Sequence, residues 1–359
     1  MKILIAGDWH SMLHEQALYD ALIENGHDAH AFAWHTYFLG TPVFDKWGLI
    51  PRAQNKYLLG PRVNRLNRDL LECAHACKPD AIIVYRGSHI FPRTLRLLKE
   101  TLPGTKLLGY NNDDPFSLHY PKWLWRHFRG GIPEYDLVLS YRPANIKEYV
   151  AAGARRVHLW RSWFCPSLHR PLVLNDQDEL RFDCDVVFVG HFENDGRLSA
   201  LASLAEAGFK VKIFGPYKGL GPSGWHGKID RYPSLRGSVP TEYLSGENYV
   251  KALCGARIAL CFLSKLNRDS YTRRCFEIPA VGAALFSEYS EDLGYLFSEG
   301  IDAELFRNHA ELIAKVGAYL NDAPRLAALR AAGTQRVWKE GHDVGSRAKQ
   351  LVEWIEDIA

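Results

Sequence analysis

The sequence predicts an α/β protein built from two doubly wound parallel sheets. Three observations carry that expectation. Short apolar runs of strand length alternate with helical patterns twice along the chain, as parallel βαβ units require. Between the two series, residues 165–183 (CPSLHRPLVLNDQDELRFD) lose periodicity and gain Pro, Asn and Asp. The 359 residues, 47% hydrophobic and 24% charged, suffice for two cores and exclude disordered and fibrous classes. The expected layout is an N-terminal domain over 1–165, a linker over 166–183, a second domain over 184–340, and a last segment over 341–359 packing back on the first.

Ile3–Ala6 reads as a strand ending in Gly7-Asp8. Leu13, Ala17, Leu18, Ala21 and Leu22 then share one helix face, which stops at the C-terminal signal Asn25-Gly26. Strands follow at Ala29–Trp34, Ala81–Tyr85, Lys106–Tyr110, Leu137–Tyr141 and Arg156–Trp160, with helices from Pro92 to Glu100 and from Pro143 to Ala152. The second series has strands Cys184–Val189 (closed by Gly190), Val211–Phe214, Ile258–Leu263 and Ala284–Ser287. Helices are expected at Leu198–Ala207 and near Cys275–Val281, and they dominate to the C-terminus. The last is amphipathic, through Leu351, Val352, Trp354, Ile355 and Ile358. Two such halves imply a ligand cleft between them, at the carboxyl ends of the strands.

The formal net charge of +3 conceals a division. Residues 40–170 hold 21 Lys/Arg against 10 Asp/Glu, a surplus of 11, and the remainder is negative by 8. Two halves of opposite sign imply surfaces that face different ligands. The opening MKILIAGDWH has no signal-peptide pattern, and no apolar stretch approaches the roughly 20 residues of a membrane span. None of the seven cysteines forms a CxxC pair, and Cys73 and Cys77, four apart on a helix face, lack further metal ligands nearby. Reduced thiols in a cytoplasmic protein follow.

The most informative segment is Arg268–Glu288 (RDSYTRRCFEIPAVGAALFSE). Arg268, Arg273 and Arg274 precede a helix start, Glu277 lies in its first turns, and Gly282 closes it. Guanidinium groups beside free helix N–H groups suit phosphate. A carboxylate a turn further in suits the two vicinal hydroxyls of a ribose. The same residues could also be a solvated cluster with a Glu–Arg pair.

The stretch RGSVP…NYVKALCGARIALCFL…YTRRCFEIPAVGAALFSEYSEDLGYLF…LFRNHAELIAKVGAYL resembles the C-terminal domain of the CgeB-like, spore-maturation-like glycosyltransferases. These have the GT-B fold, two Rossmann-like domains with the nucleotide sugar on the second, of the kind seen in glycosyltransferase families 1 and 4. The core T-x-R-x-FE-x-PA-x-G matches at Thr272, Arg274, Phe276, Glu277, Pro279, Ala280 and Gly282. FVGHFENDGR resembles the family's first donor-domain strand and turn, at Gly190 and Arg197. KPDAIIVYRG, GYNNDDPFS and DLVLSYRPANIKEYVAAGARRV extend the likeness through the first domain. The resemblance implies that Glu277 holds the ribose hydroxyls. Asp269, where related retaining enzymes have a longer Glu, would touch the donor sugar. Arg274 and Arg197 would hold the pyrophosphate with Lys265 or Arg268 helping, Gly190 would allow close backbone approach, and Gly237-x-Val239 would edge the base. His191 either donates to the diphosphate or is a surface turn residue, and Glu288 either points to the donor or caps a helix near Ser290.

Transfer requires fixed cations against the charge developing on the leaving nucleoside diphosphate. GT-B enzymes commonly use Arg and Lys for this, and no DxD-type motif precedes the donor domain, so neither metal nor other cofactor is expected. Asp113 and Asp114 (YNNDDPFS) follow a strand and could orient or deprotonate the acceptor, or cap an Asx turn before Pro115. Asp8, His10 and His89 also follow strands. His10 could act as a base near neutral pH or be an inert loop residue.

Residues 121–133 (PKWLWRHFRGGIP) interleave Trp123, Trp125 and Phe128 with Lys122, Arg126, His127 and Arg129. That composition suits an anionic lipid surface, or an ordinary helix with an aromatic core face. Nucleic acid is disfavoured, because no nucleic-acid motif accompanies it. The expected function is transfer of a sugar from a nucleoside-diphosphate sugar to an anionic or lipid-linked glycan, at the cytoplasmic leaflet. The alternatives are a nucleotide-sugar epimerase or hydrolase, and a non-catalytic sugar-nucleotide binder. A dehydrogenase is disfavoured by the absence of GxGxxG after either opening strand.

Overall fold

A computed structural model describes residues 1–38, 48–216, 224–238 and 243–358. The chain forms two compact units, one of Met1–Ser162 with Val344–Ala359, the other of Trp163–Asp343.

The first unit carries β1 (Lys2–Gly7), α1 (Glu15–Glu24), β2 (Asp28–Ala33), α2 (Leu49–Tyr57), α3 (Pro61–Cys77), β3 (Ala81–Tyr85), α4 (Pro92–Thr101), β4 (Lys106–Asn111), α5 (Arg126–Gly131), β5 (Leu137–Ser140), α6 (Asn145–Ala151) and β6 (Val157–Leu159). All six strands are parallel, in the order β2-β1-β3-β4-β5-β6. Leu4, Ala6, Ile82, Val84, Leu107 and Val138 meet Leu66, Leu70, Leu95, Leu98 and Phe128 in the core. Both faces of such a sheet are covered by helices, which is why β3 reads AIIVY with no polar alternation. The C-terminal helix Val344–Glu356 buries Leu351, Val352 and Ile355 and packs on α1. The Trp160 indole N–H donates to the Arg347 carbonyl at 3.1 Å, tying that helix to the end of β6.

The second unit carries α7 (Asp176–Phe182), β7 (Cys184–Val189), α8 (Arg197–Glu206), β8 (Val211–Phe214), α9 (Gly246–Gly255), β9 (Ala256–Cys261), α10 (Arg274–Ala280), β10 (Ala284–Glu288), α11 (Glu291–Leu296), β11 (Glu304–Phe306), α12 (His309–Leu320) and α13 (Ala323–Lys339). Its five parallel strands run β11-β10-β9-β7-β8. Val186, Phe188, Ile213, Ile258, Leu260 and Phe286 pack against Leu201, Leu204, Leu312, Val316, Leu326 and Leu329. Residues 166–183, read from sequence as a linker, belong to this unit. Their Asn and Asp residues mark a helix start, since the Asn175 side chain accepts from the Asp178 N–H at 2.9 Å, and Phe182 is buried against Phe214. The three-residue β11 is too short to show as periodicity. Among the described residues, no helix is long and apolar enough to cross a membrane.

Candidate nucleotide-binding site

Strand order locates the sites. In the first unit the chain passes from β1 outward to β2, then returns to place β3 on the other flank of β1. In the second, β8 and β9 flank β7 in the same way. Loops leaving the carboxyl ends of such a pair diverge and open a crevice, the usual ligand position of a doubly wound sheet. The crevices are β1/β3 and β7/β9.

The first is already occupied by the protein itself. The Glu15 carboxylate is buried and accepts the backbone N–H of Asp8 at 2.9 Å and of Trp9 at 3.4 Å. A Cβ on Gly7 would lie 2.6 Å from the Glu15 Cγ and Oε1, so the glycine is what lets this internal anion in. Burial raises the Glu15 carboxyl above its ordinary range, partly offset by those N–H groups. The amides that cradle phosphate in a dinucleotide fold are spent on Glu15.

In the second crevice, among the described residues, no carboxylate hydrogen-bonds or salt-bridges the cation that faces the turn. Gly190 follows β7, and a Cβ there would lie 2.8 Å from the Phe188 ring and 3.5 Å from Arg274 Nη2. The guanidinium of Arg274, half-buried at the start of α10, therefore lies over the Gly190 backbone. Among the described residues it has no hydrogen bond or salt bridge. Behind Gly190, the buried Trp225 indole N–H donates to the Gly190 carbonyl at 2.9 Å and fixes the turn.

Arg197 lies in the same loop but is differently employed. It is buried, its Nε donates to Asp195 at 2.9 and 3.0 Å, its Nη1 to the His191 carbonyl at 2.8 Å, and its Nη2 lies 3.4 Å from Glu193. Arg197 is thus a brace of the 190–197 loop, and its donors are committed to carboxylates. Glu193, unsignalled in the sequence, accepts from His191 and from Ser264 Oγ, each at 2.8 Å, and so ties the loop after β7 to the loop after β9. Burial opposes its ionisation, but the His191 hydrogen bond, Arg197 and Ser264 outweigh that and hold it near 2.

Glu277 is buried one turn into α10. Its Oε2 accepts from the Tyr249 hydroxyl at 2.7 Å, and its Oε1 pairs with Arg273. His169 is fully buried, with Nε2 3.6 Å from Glu277 Oε1. Its Nδ1 accepts the Cys165 N–H at 2.9 Å, so the neutral ring carries its proton on Nε2. Burial pushes the imidazole down, keeping His169 neutral, and pushes the Tyr249 phenol well above its ordinary range. Burial also opposes ionisation of Glu277, yet Arg273, then His169, Tyr249 and Arg274, hold it down to about 2. Glu277 is a fixed anion in contact with Arg273 and Tyr249, near enough to Arg274 for the two charges to attract.

A cavity of about 730 Å³ opens at the carboxyl ends of the same strands. Asp195 and Gly196 line it from the loop after β7, Phe262 and Lys265 from the loop after β9, Glu288 from the end of β10 and Arg307 from just beyond β11. Glu288 does not cap the following helix. Ser290 does, its Oγ accepting from Leu293 N–H at 3.0 Å, while Glu288 accepts from Leu263 N–H at 2.7 Å and lies 3.9 Å from Lys265 Nζ. Arg268 is exposed with φ +48, Asp269 is half-buried, and the Thr272 hydroxyl lies 3.3 Å from Cys261 Sγ. Gly237 falls elsewhere. It lies with Ala205, Gly208 and Lys210 around the amino end of β8, away from the carboxyl-end loops, and Val239 is outside the described residues. Among the described residues, no three His, Cys, Asp or Glu side chains cluster as metal ligands.

Residues 197–353 match the model of the glycosyl transferase-like family. The matched stretch includes Lys265, Arg268, Asp269, Thr272, Arg274 and Glu277. No curated protein matches the chain. Among solved structures, sucrose-phosphate synthase from Thermosynechococcus elongatus aligns with TM-score 0.75 at 13% identity, covering 100% of this chain and 99% of that one. HepE of Anabaena, in complex with UDP and glucose, aligns with TM-score 0.70 at 15% identity over 99% and 100% of the two chains. A UDP-N-acetylglucosamine 2-epimerase assignment from Listeria monocytogenes aligns with TM-score 0.56 at 11% identity over 98% and 94%. The fold is GT-B.

In the first GT-B unit, the β1/β3 crevice carries acid–base groups. His10 Nδ1 lies 2.7 Å from Asp8 Oδ2, and the side chain is 57% exposed. Donation to a carboxylate puts the proton on Nδ1 and leaves the Nε2 lone pair to accept one. The Asp8 hydrogen bond raises the His10 pKa; burial opposes ionisation of Asp8, but His10 and then Arg86 hold it below its ordinary range. His89 is buried, hydrogen-bonded to Ser88 Oγ and Asn55, and pushed down to about 4, so it remains neutral. Asp113 pairs with Arg86 at 2.7 Å. Asp114 is fully buried, and its Oδ1 accepts from Phe116 N–H at 3.0 Å and Asn145 Nδ2 at 2.9 Å. It is a turn cap and does not meet an acceptor. The 121–133 aromatics are likewise mostly structural, because Trp125 and Phe128 are buried. Trp123 alone stays half-buried, against Tyr57.

Proposed function

We propose that the chain is a CgeB-like glycosyltransferase that moves a sugar from a nucleoside-diphosphate sugar to a glycan or lipid-linked acceptor. One observation carries the reading. Arg274 is a half-buried guanidinium that makes no hydrogen bond or salt bridge among the described residues, laid over the Gly190 backbone at the β7/β9 crevice, whereas Arg197 and Arg273 beside it are braced by carboxylates. A diphosphate supplies the missing acceptors. Arg274 then meets the negative charge that grows on the leaving diphosphate as the glycosidic bond stretches, with Lys265 and Arg268 as helpers. Glu277, held by Arg273 and Tyr249, adds a fixed negative charge near this cation, and a ribose hydroxyl is the group expected to reach it. Asp269 and the cavity lined by Glu288 and Lys265 receive the sugar. His10, oriented by Asp8, takes the proton of the acceptor hydroxyl. No metal is required for these steps, and turnover is expected to survive EDTA.

Uridine is the base of choice for a first assay, since HepE is bound to UDP. Calorimetry with UDP and UDP-glucose tests the reading. Arg274→Ala should weaken UDP binding by about 2 kcal/mol, roughly thirty-fold, the scale of a charge-assisted hydrogen bond. Equal affinity of the variant and the parent for every nucleoside diphosphate would remove Arg274 from the donor site. The likeness to an epimerase makes acceptor-free turnover of the sugar nucleotide the competing outcome, read in the same preparation. The free cysteines among the described residues support a cytoplasmic setting.

A further inference from the structure

The outward face of α2 is apolar, the reverse of what a surface helix ordinarily presents. Leu49 is 60% exposed, Ile50 58% and Tyr57 45%, and Leu59, just beyond the helix, is 55% exposed. Positions 49, 50, 53 and 57 fall within about 100° of one another around a helix, so Leu49, Ile50, Ala53 and Tyr57 form one stripe facing away from the unit. The buried residues of this stretch are Pro51 and Leu58. Charge on the stripe's own segment is positive. Residues 48–61 contain Arg52 and Lys56 and no Asp or Glu, while Arg65 and Arg68 of α3 are paired with Asp69 and Glu72. Lys56 is exposed beside the stripe. Trp123 packs on Tyr57 with ring centroids 5.4 Å apart, which brings exposed Lys122 to the same surface. Neither Lys56 nor Lys122 has a carboxylate partner among the described residues.

We infer that this face docks on an anionic lipid bilayer. A nine-residue helix is too short to cross one, but an exposed apolar stripe with flanking lysines lies in the interface, its aliphatic side chains among the acyl chains and its lysines at the headgroups. Tyr57 belongs at the same level, where an amphipathic ring is favoured. A second copy of the chain is a poorer cover. A two-fold contact sets a patch against itself, and this one would bring like charges together. The inference gives the lipid-linked acceptor of the proposed function a physical location, and rests on that reading only for its purpose.

The test is co-sedimentation of the full chain with vesicles of phosphatidylcholine alone and with phosphatidylglycerol added, at low and high salt. UDP affinity and molecular mass in solution are measured on the same samples. Binding is expected only to the anionic vesicles, weakened by salt. Ile50→Asp should reduce partitioning at least tenfold, and Lys56→Glu and Lys122→Glu about fivefold each or more. All three are exposed positions, so melting temperature and UDP affinity should stay at parental values, which separates this surface from the donor site. Failure of the parent to bind anionic vesicles overturns the inference whether or not UDP binds. So does equal binding by Ile50→Asp, or a concentration-dependent dimer that Ile50→Asp dissolves in the absence of vesicle binding.

Discussion

Replacing Glu277 by Gln removes one charge from the interior of the second unit and changes almost nothing in shape. Folding takes this carboxyl from its ordinary 4.5 to about 2. A depressed carboxylate pKa contributes stability that is complete above the unfolded value and vanishes as pH falls through the folded one. A shift of that size corresponds to about 3 kcal/mol above pH 5, falling to roughly half of that at pH 3. Arg273 is the partner that supplies most of this, since His169 is neutral and contributes only its oriented N–H. The amide still accepts from Tyr249 but leaves Arg273 facing a neutral group. The second unit should therefore melt roughly 6–12 °C lower in the Gln variant at pH 7. Differential scanning calorimetry of parent and variant from pH 7 to pH 3 reads the effect. The gap in stability should shrink by about half over that range. A gap that is constant with pH would show that Glu277 is not held ionised by Arg273, and the account of this network would be wrong.

Other outcomes follow from the same geometry. His10 must be neutral to accept a proton, so kcat/KM should fall as pH drops through its raised pKa. Asp8→Asn should move that limb to lower pH, and His10→Ala should lower kcat by roughly 10²–10⁴; an unmoved pH profile in Asp8→Asn would dissociate the pair from the chemistry. Gly190→Ala places a methyl 2.8 Å from the Phe188 ring and 3.5 Å from Arg274, and should cost about 1–3 kcal/mol in stability together with donor affinity, measured by denaturant titration and UDP calorimetry. Asp114→Ala strands buried donors of Phe116 and Asn145 and should destabilise the first unit by about 1–3 kcal/mol, while KM for donor and acceptor in the folded enzyme stays unchanged.

The alternation of strands and helices was legible in the sequence because it is a local property. An apolar run such as AIIVY or CDVVFV declares a strand covered on both faces wherever it is later placed. Arg274 and Glu277 were legible for a related reason, being three residues apart in one short motif that a family model also matches. What the tertiary structure alone decided is which charges are already satisfied. Arg197 and Arg274 look equivalent as sequence, yet Asp195 and Glu193 claim the first, and among the described residues no group hydrogen-bonds the second. Glu15 carries no motif, and only folding brings it back onto the loop after β1 to fill the anion position there. Asp113 and Asp114 are neighbours in the chain, but one pairs with Arg86 and the other disappears into a turn. The aromatics Trp125 and Phe128 of 121–133 are buried while Leu49, Ile50 and Tyr57 of α2 face outward, since periodicity shows that a stripe exists but not which way it faces. Helix and strand patterns depend on neighbours a few residues off, whereas burial and the pairing of charge depend on groups the chain brings from far away.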